Sequence, residues 1–181
     1  MGTYIGFWIK PQLRGSSNSI DTDMFAKIQN TSHAPARALL VWDGDCSFCK
    51  FWKTRWEQKT AAVLGFETYQ HAAQRFPDIP LKEFKKASRL IDESGTVYSG
   101  PDSAYRSLYL GGTTFWHNLY HSQNWFTWLS DHGYNHIAKN RSFYWKVTKV
   151  LFGKENGTLK KYWLGYLLVL SIVIGLLVFA V

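Results

Sequence analysis

The sequence predicts an α/β sandwich extended by further C-terminal helices and one transmembrane helix. Three observations point to it. Apolar, strand-like runs alternate with helix-like segments from residue 38 onward. The only two cysteines, Cys46 and Cys49, stand where the first such run passes into the first helix. Residues 162–181 carry no charge, and a stretch of about 20 apolar residues matches one crossing of a bilayer.

The elements follow in order. Ala38 to Trp42 reads as a buried strand, and Asp43-Gly44-Asp45 as a turn with Asp45 as the helix cap. Cys46 to Lys59 reads as a helix, because Phe48, Phe51, Trp52 and Trp56 recur at three- and four-residue steps. Val63 to Tyr69 reads as a second strand. Residues 70–87 form an irregular or helical connection broken by Pro77 and Pro80. Ser88 to Asp92 and Thr96 to Ser99 form a hairpin around Glu93-Ser94-Gly95. Pro101-Asp102 opens a helix, since proline suits its first turn and an acid suits its dipole. Two more helices are expected over about 115–129 and 132–152. In such a sheet, functional groups gather at the C-terminal ends of the strands, which is where the cysteines lie.

At 181 residues the chain has room for one domain and an appendage, and 46% hydrophobic residues suffice for a core. The net charge is +8, but the basic residues are spread out, so no nucleic-acid partner is expected. Met1 to Ile9 lacks a basic leader, and Lys10-Pro11 ends its apolar run, which argues against a signal peptide. The expected boundaries are a flexible lead-in over 1–36, the folded domain over 37–152, a basic juxtamembrane linker over 153–161 and the transmembrane helix over 162–181. Tyr162, Trp163 and Tyr166 suit the interfacial belt. Arg141, Lys146, Lys149, Lys154, Lys160 and Lys161 are expected to face anionic headgroups, which makes the membrane lipid a partner and leaves the cysteine domain in the cytoplasm. The span is either a C-terminal anchor or the first part of a longer membrane protein.

Cys46 falls at a helix N-terminus, where backbone N–H groups and the dipole favour a thiolate. It is the expected attacking thiol, with Cys49 resolving the mixed disulfide. Lys50, one turn on, favours the thiolate, whereas Asp43 and Asp45 oppose it. Asp43 is either the proton acceptor for Cys49 or a turn residue bonding its own backbone. Without a redox role the cysteines would be buried core thiols. Two histidine pairs at helical spacing, His117/His121 and His132/His136, read as polar or interfacial helix faces, so no metal site is expected. Phe115, Trp116, Trp125, Phe126 and Trp128 read as core or bilayer-interface residues without a catalytic role.

The run Val41-Trp42-Asp43-Gly44-Asp45-Cys46-Ser47-Phe48-Cys49 resembles the DCC family of thiol-disulfide oxidoreductases, whose pattern is D-G-x-C-x-x-C. The resemblance extends through Val97-Tyr98-Ser99-Gly100 to Tyr134-Asn135-His136-Ile137-Ala138-Lys139-Asn140-Arg141, and so covers about residues 38–152. It implies a thioredoxin-like fold and disulfide oxidoreductase chemistry. Two departures stand out. Gly100-Pro101-Asp102-Ser103-Ala104 is one residue longer than the family's Gly-x-Asp-Ala, and no proline stands near Ser88 or Arg89, where thioredoxins carry a cis-proline.

These readings converge on a membrane-tethered thiol-disulfide oxidoreductase of the protein-disulfide reductase type. Its catalytic residues are Cys46, Cys49 and Asp43, it needs no cofactor, and its substrate is a disulfide-containing protein or a small thiol. The alternatives are a membrane-anchored binding module, with or without a metal at the cysteine pair, and an accessory domain of a larger membrane protein.

Overall fold

The computed structural model describes residues 24–25, 28–60, 62–153 and 162–179. Its centre is a four-stranded mixed sheet of β1 (Leu39–Trp42), β2 (Gly65–Thr68), β3 (Arg89–Ile91) and β4 (Val97–Ser99), in the order β2-β1-β3-β4. β1 runs parallel to β2, with Leu40 opposite Phe66, and antiparallel to β3, with Leu40 opposite Leu90. β3 and β4 form the expected hairpin, with Leu90 opposite Tyr98.

Alternation along β1 sorts its side chains to two faces. Leu39 and Val41 join Ile91 and Val97 on one face, under Ala72, Phe76, Ile79 and Phe84. These come from the helices α2 (Tyr69–Ala72) and α3 (Leu81–Lys86) and the turns between them. Ala38, Leu40 and Leu90 pack on the other face beside Leu64, Trp56 and Leu110. Trp56 belongs to α1 (Ser47–Thr60) and Leu110 to α4 (Pro101–Leu110). Helices therefore cover both faces of a sheet with parallel and antiparallel neighbours, in keeping with the thioredoxin-like sandwich.

Four expectations need correction. First, the helical region after α4 holds three helices rather than two, namely α5 (Phe115–Ser122), α6 (Asn124–Lys139) and α7 (Arg141–Phe152). Polar side chains that compete for backbone groups break the run at Gln123 and Asn140. The Thr127 hydroxyl donates to the carbonyls of Tyr120 and Gln123, and Asn140 Nδ2 donates to the His136 carbonyl at 2.8 Å.

Second, Tyr69 starts α2 instead of ending the second strand.

Third, the described part of the expected flexible lead-in is tied down. Asn30 bridges Thr96, and the Val97 N–H donates to the Gln29 carbonyl at 2.8 Å, which extends the sheet past β4. Phe25 is buried and packs edge-on against Tyr134. Gly95 has φ 83°, and a Cβ there would strike the Thr31 carbonyl, so this corner requires glycine. Residues 1–23 and 26–27 of the lead-in lie outside the described residues, as does most of the basic linker over 154–161.

Fourth, the expected transmembrane span over 162–181 falls on α8 (Tyr162–Phe179), with residues 180–181 outside the described ones. Among the described residues, no helix is long and apolar enough to cross a membrane.

Candidate functional site

The site begins at the turn between β1 and α1. The Lys50 N–H donates to the Cys46 carbonyl at 2.9 Å, so Cys46 itself occupies the cap position expected for Asp45. The Cys49 N–H points at Cys46 Sγ, 3.1 Å away. Sulfur thus stands where a capping oxygen would, against an unpaired amide of the first turn and the positive end of the helix dipole. Cys46 and Cys49 are joined as a disulfide with their Cα atoms 5.2 Å apart, within the range that a bridge needs.

Asp45 serves elsewhere. Its N–H donates to Asp43 Oδ1 at 3.2 Å, and its carboxylate accepts from Gln70 Nε2 at 3.0 Å. Gln70, in α2, holds the whole turn. Its Nε2 also donates to Asp43 at 3.2 Å, while its Oε1 accepts the Gly44 N–H at 3.2 Å. A Cβ on Gly44 would come within 2.8 Å of Thr68 Cγ2, so the glycine of the motif permits close approach of this turn to β2. Burial, then the nearby Asp43 and Asp45 carboxylates, push the Tyr69 phenol above its ordinary pKa.

Against these carboxylates stands one guanidinium. Arg141 Nη1 donates to Asp43 Oδ2 at 2.8 Å, bridging 98 positions of sequence. Its Nη2 lies 3.3 and 3.4 Å from the carbonyls of Lys85 and Lys86, at the end of α3. In place of the lipid headgroups expected for it, Arg141 faces the turn before the cysteines. Aromatic contacts fix α7 in place, with Phe51 5.9 Å from Trp145 and Phe48 6.4 Å from Tyr144. Between α7 and the turn lies a cleft of about 330 Å³ lined by Asp43, Asp45, Cys46, Ser47, Phe48, Arg141, Ser142 and Trp145. Cys46 lines it and Cys49 does not. A larger open hollow of about 760 Å³, around Arg37, Val63 and Glu93, holds neither cysteine.

Asp43 and Cys46 line one cleft, Cys49 is joined to Cys46, and the Asp43 carboxylate accepts from the Asp45 N–H, Gln70 and Arg141. Arg141 and Gln70 belong with them and were missed as site residues. Arg141 closes the Ala-Lys-Asn-Arg segment, which is the one local sign that it matters. Nothing near Gln70 in the sequence links it to the turn. Where thioredoxins carry proline, Ser88 donates its N–H to the Tyr134 hydroxyl at 3.0 Å, and its own hydroxyl lies 2.8 Å from that of Ser103. Lys50 is exposed at the start of α1.

The two histidine pairs differ. His121 Nε2 lies 2.9 Å from Asp102 Oδ1, and His117 Nδ1 lies 3.6 Å from the same oxygen. Burial alone would raise the Asp102 pKa, but the two histidines beside it, His117 and His121, outweigh that and hold the carboxyl below its ordinary value. His132 instead bonds the Trp128 carbonyl, and His136 packs against Tyr144. Of the aromatic residues expected in the core or at the interface, Phe115, Trp116, Trp125 and Trp128 are exposed, while Phe126 stacks on Trp116.

The family model of DCC1-like thiol-disulfide oxidoreductases fits residues 40–146. No curated protein matches, and no solved structure does.

Proposed function

The chain belongs to the DCC1-like thiol-disulfide oxidoreductase family, and on that premise we propose that it reduces protein disulfides by dithiol exchange. The Cys46 thiolate attacks one sulfur of the substrate disulfide, forms a mixed disulfide and releases the other sulfur as a thiolate, which takes up a proton. Cys49 then gives up its proton and attacks Cys46 Sγ. The second substrate thiol leaves, and the Cys46–Cys49 disulfide remains. Two electrons have passed to the substrate, and a dithiol or small-thiol donor returns the pair to its reduced form. Asp43 receives the Cys49 proton, with Arg141 and Gln70 as positioning residues for its carboxylate.

The observation that carries this reading is the asymmetry of the pair. Cys46 caps α1, has the Cys49 N–H on its sulfur and lines the cleft, whereas Cys49 stands back from it. The test is mixed-disulfide trapping. Cys49→Ser should accumulate substrate adducts through Cys46, and Cys46→Ser should accumulate none. Equal trapping by both variants, or by neither, would remove the assigned roles.

The same reading holds the domain at the cytoplasmic face of a membrane. Its support is the uncharged run Trp163–Ile172 of α8, whose side chains are all exposed, together with the exposed Phe115, Trp125 and Trp128. Flotation of the full chain with phospholipid vesicles tests it. Binding that survives Leu168→Asp and Ile172→Asp together would show that α8 is not the tether.

A further inference from the structure

We propose that Asp102, His117 and His121 form a binding site for a divalent transition metal of the zinc class. The site is separate from the cysteine pair, since none of the three residues lines the cleft beside Cys46. One ligand atom from each residue lies within 4.8 Å of the other two. Tetrahedral zinc with bonds of about 2.0–2.1 Å sets its ligand atoms about 3.3 Å apart. The observed separations of 2.9 Å (Asp102 Oδ1 to His121 Nε2) and 3.6 Å (Asp102 Oδ1 to His117 Nδ1) bracket that value.

Two further features favour a ligand. His117 Nδ1 is buried with no hydrogen-bond partner, and a buried polar atom left in that state is unfavourable unless something fills the gap. A metal ion is one such occupant. The histidines are also four apart on α5 and project from one face, and the carboxylate comes from the first turn of α4, so the chelate would staple the two helices. His117 is mostly enclosed, with its ring 4.8 Å from that of Tyr109, whereas the His121 side chain is 48% exposed. Solvent can therefore reach a fourth coordination position from the His121 side. Arg106, one turn after Asp102, is stacked on the Tyr98 and Tyr109 rings at 5.0 and 4.9 Å. Two imidazoles and one carboxylate with an open position form a donor set suited to zinc.

The experiment uses the full chain carrying Cys46→Ser and Cys49→Ser, which removes the thiolates as competing ligands. Zinc titration by calorimetry should give one equivalent bound, and cobalt(II) at the same site should give the visible spectrum of a four-coordinate N/O centre. Adding His121→Ala should weaken binding at least tenfold. Asp102→Asn should act in the same direction, while His132→Ala should change nothing. Zinc should raise the thermal midpoint of the parent but not of the His121→Ala variant, because only an ion bound to the native state stabilises it. His121 is half exposed, so the variant folds, and its metal-free thermal midpoint checks this. Loss of all zinc binding in the serine parent, or affinity unchanged by His121→Ala, would overturn the proposal. Either result would leave the redox reading of Cys46 and Cys49 standing.

Discussion

Two of the acid–arginine pairs at the sheet, Glu83–Arg89 and Asp43–Arg141, differ in depth. Arg89 is fully buried on β3. It donates to Glu83 Oε2 at 2.8 Å, twice to the Glu83 carbonyl, and to Ser99 Oγ. Arg141 meets Asp43 at the same 2.8 Å, but both side chains are more than a fifth exposed and open onto the cysteine cleft. The distance is equal and the consequence is not. A charge wholly removed from water depends on each of its partners, and deleting one leaves the other uncompensated. A pair in contact with solvent contributes little to stability and is free to shape a reaction.

The comparison breaks if the two arginines respond alike to substitution. Arg89→Ala should destabilise the fold by about 3–5 kcal/mol in urea unfolding, because Glu83 is left buried and unpaired. Replacing both partners with apolar residues, Arg89→Met with Glu83→Leu, should recover much of that loss. Phe51→Ala should cost about 3 kcal/mol, since Phe51 is wholly buried and joins α1 to Trp145 of α7. Arg141→Gln should cost less than about 1 kcal/mol of stability. It should nonetheless slow disulfide exchange by roughly tenfold, about 1.4 kcal/mol in the barrier, as read in a turnover assay. A rate equal to that of the unsubstituted protein would show that Arg141 has no positioning role.

A third carboxylate extends the comparison toward solvent. Asp78 accepts from the Thr31 hydroxyl at 2.7 Å and from the Ser32 N–H at 2.8 Å. Burial would raise its pKa, but these hydrogen bonds outweigh that and bring it down to about 2. A depressed carboxyl stabilises the fold above its unfolded pKa, and the contribution is lost as pH falls through about 2. The side chain is a third exposed, so the effect should stay below about 1 kcal/mol. Protection factors of the Thr31 and Val97 amides, corrected for the intrinsic exchange rate, should fall as pH drops toward about 2, and Asp78→Asn should flatten that dependence. An unchanged profile in the variant would assign the acid sensitivity to another group.

Local chemistry made much of this protein legible. The strand–turn–helix setting of Cys46 and Cys49 follows from neighbouring residues, because apolar runs, a turn glycine and a three-to-four-residue aromatic period act over short distances. The hairpin at Gly95 and the start of α4 at Pro101 are equally local. The breaks at Gln123 and Asn140 were not legible, since Thr127 and Asn140 act there by bonding carbonyls that a periodicity average ignores.

The sequence alone determined which thiols are present, the helix N-terminus at which they sit, and the α/β order around them. Only the tertiary structure decided what surrounds them. It carried Arg141 across 98 positions to Asp43, turned Gln70 onto the same turn, and set Asp102 against His117 and His121. The physical reason is that a side chain's charge and hydrogen-bonding groups are written in the sequence, whereas its partner is chosen by the packing of helices on a sheet, over distances that no local pattern records.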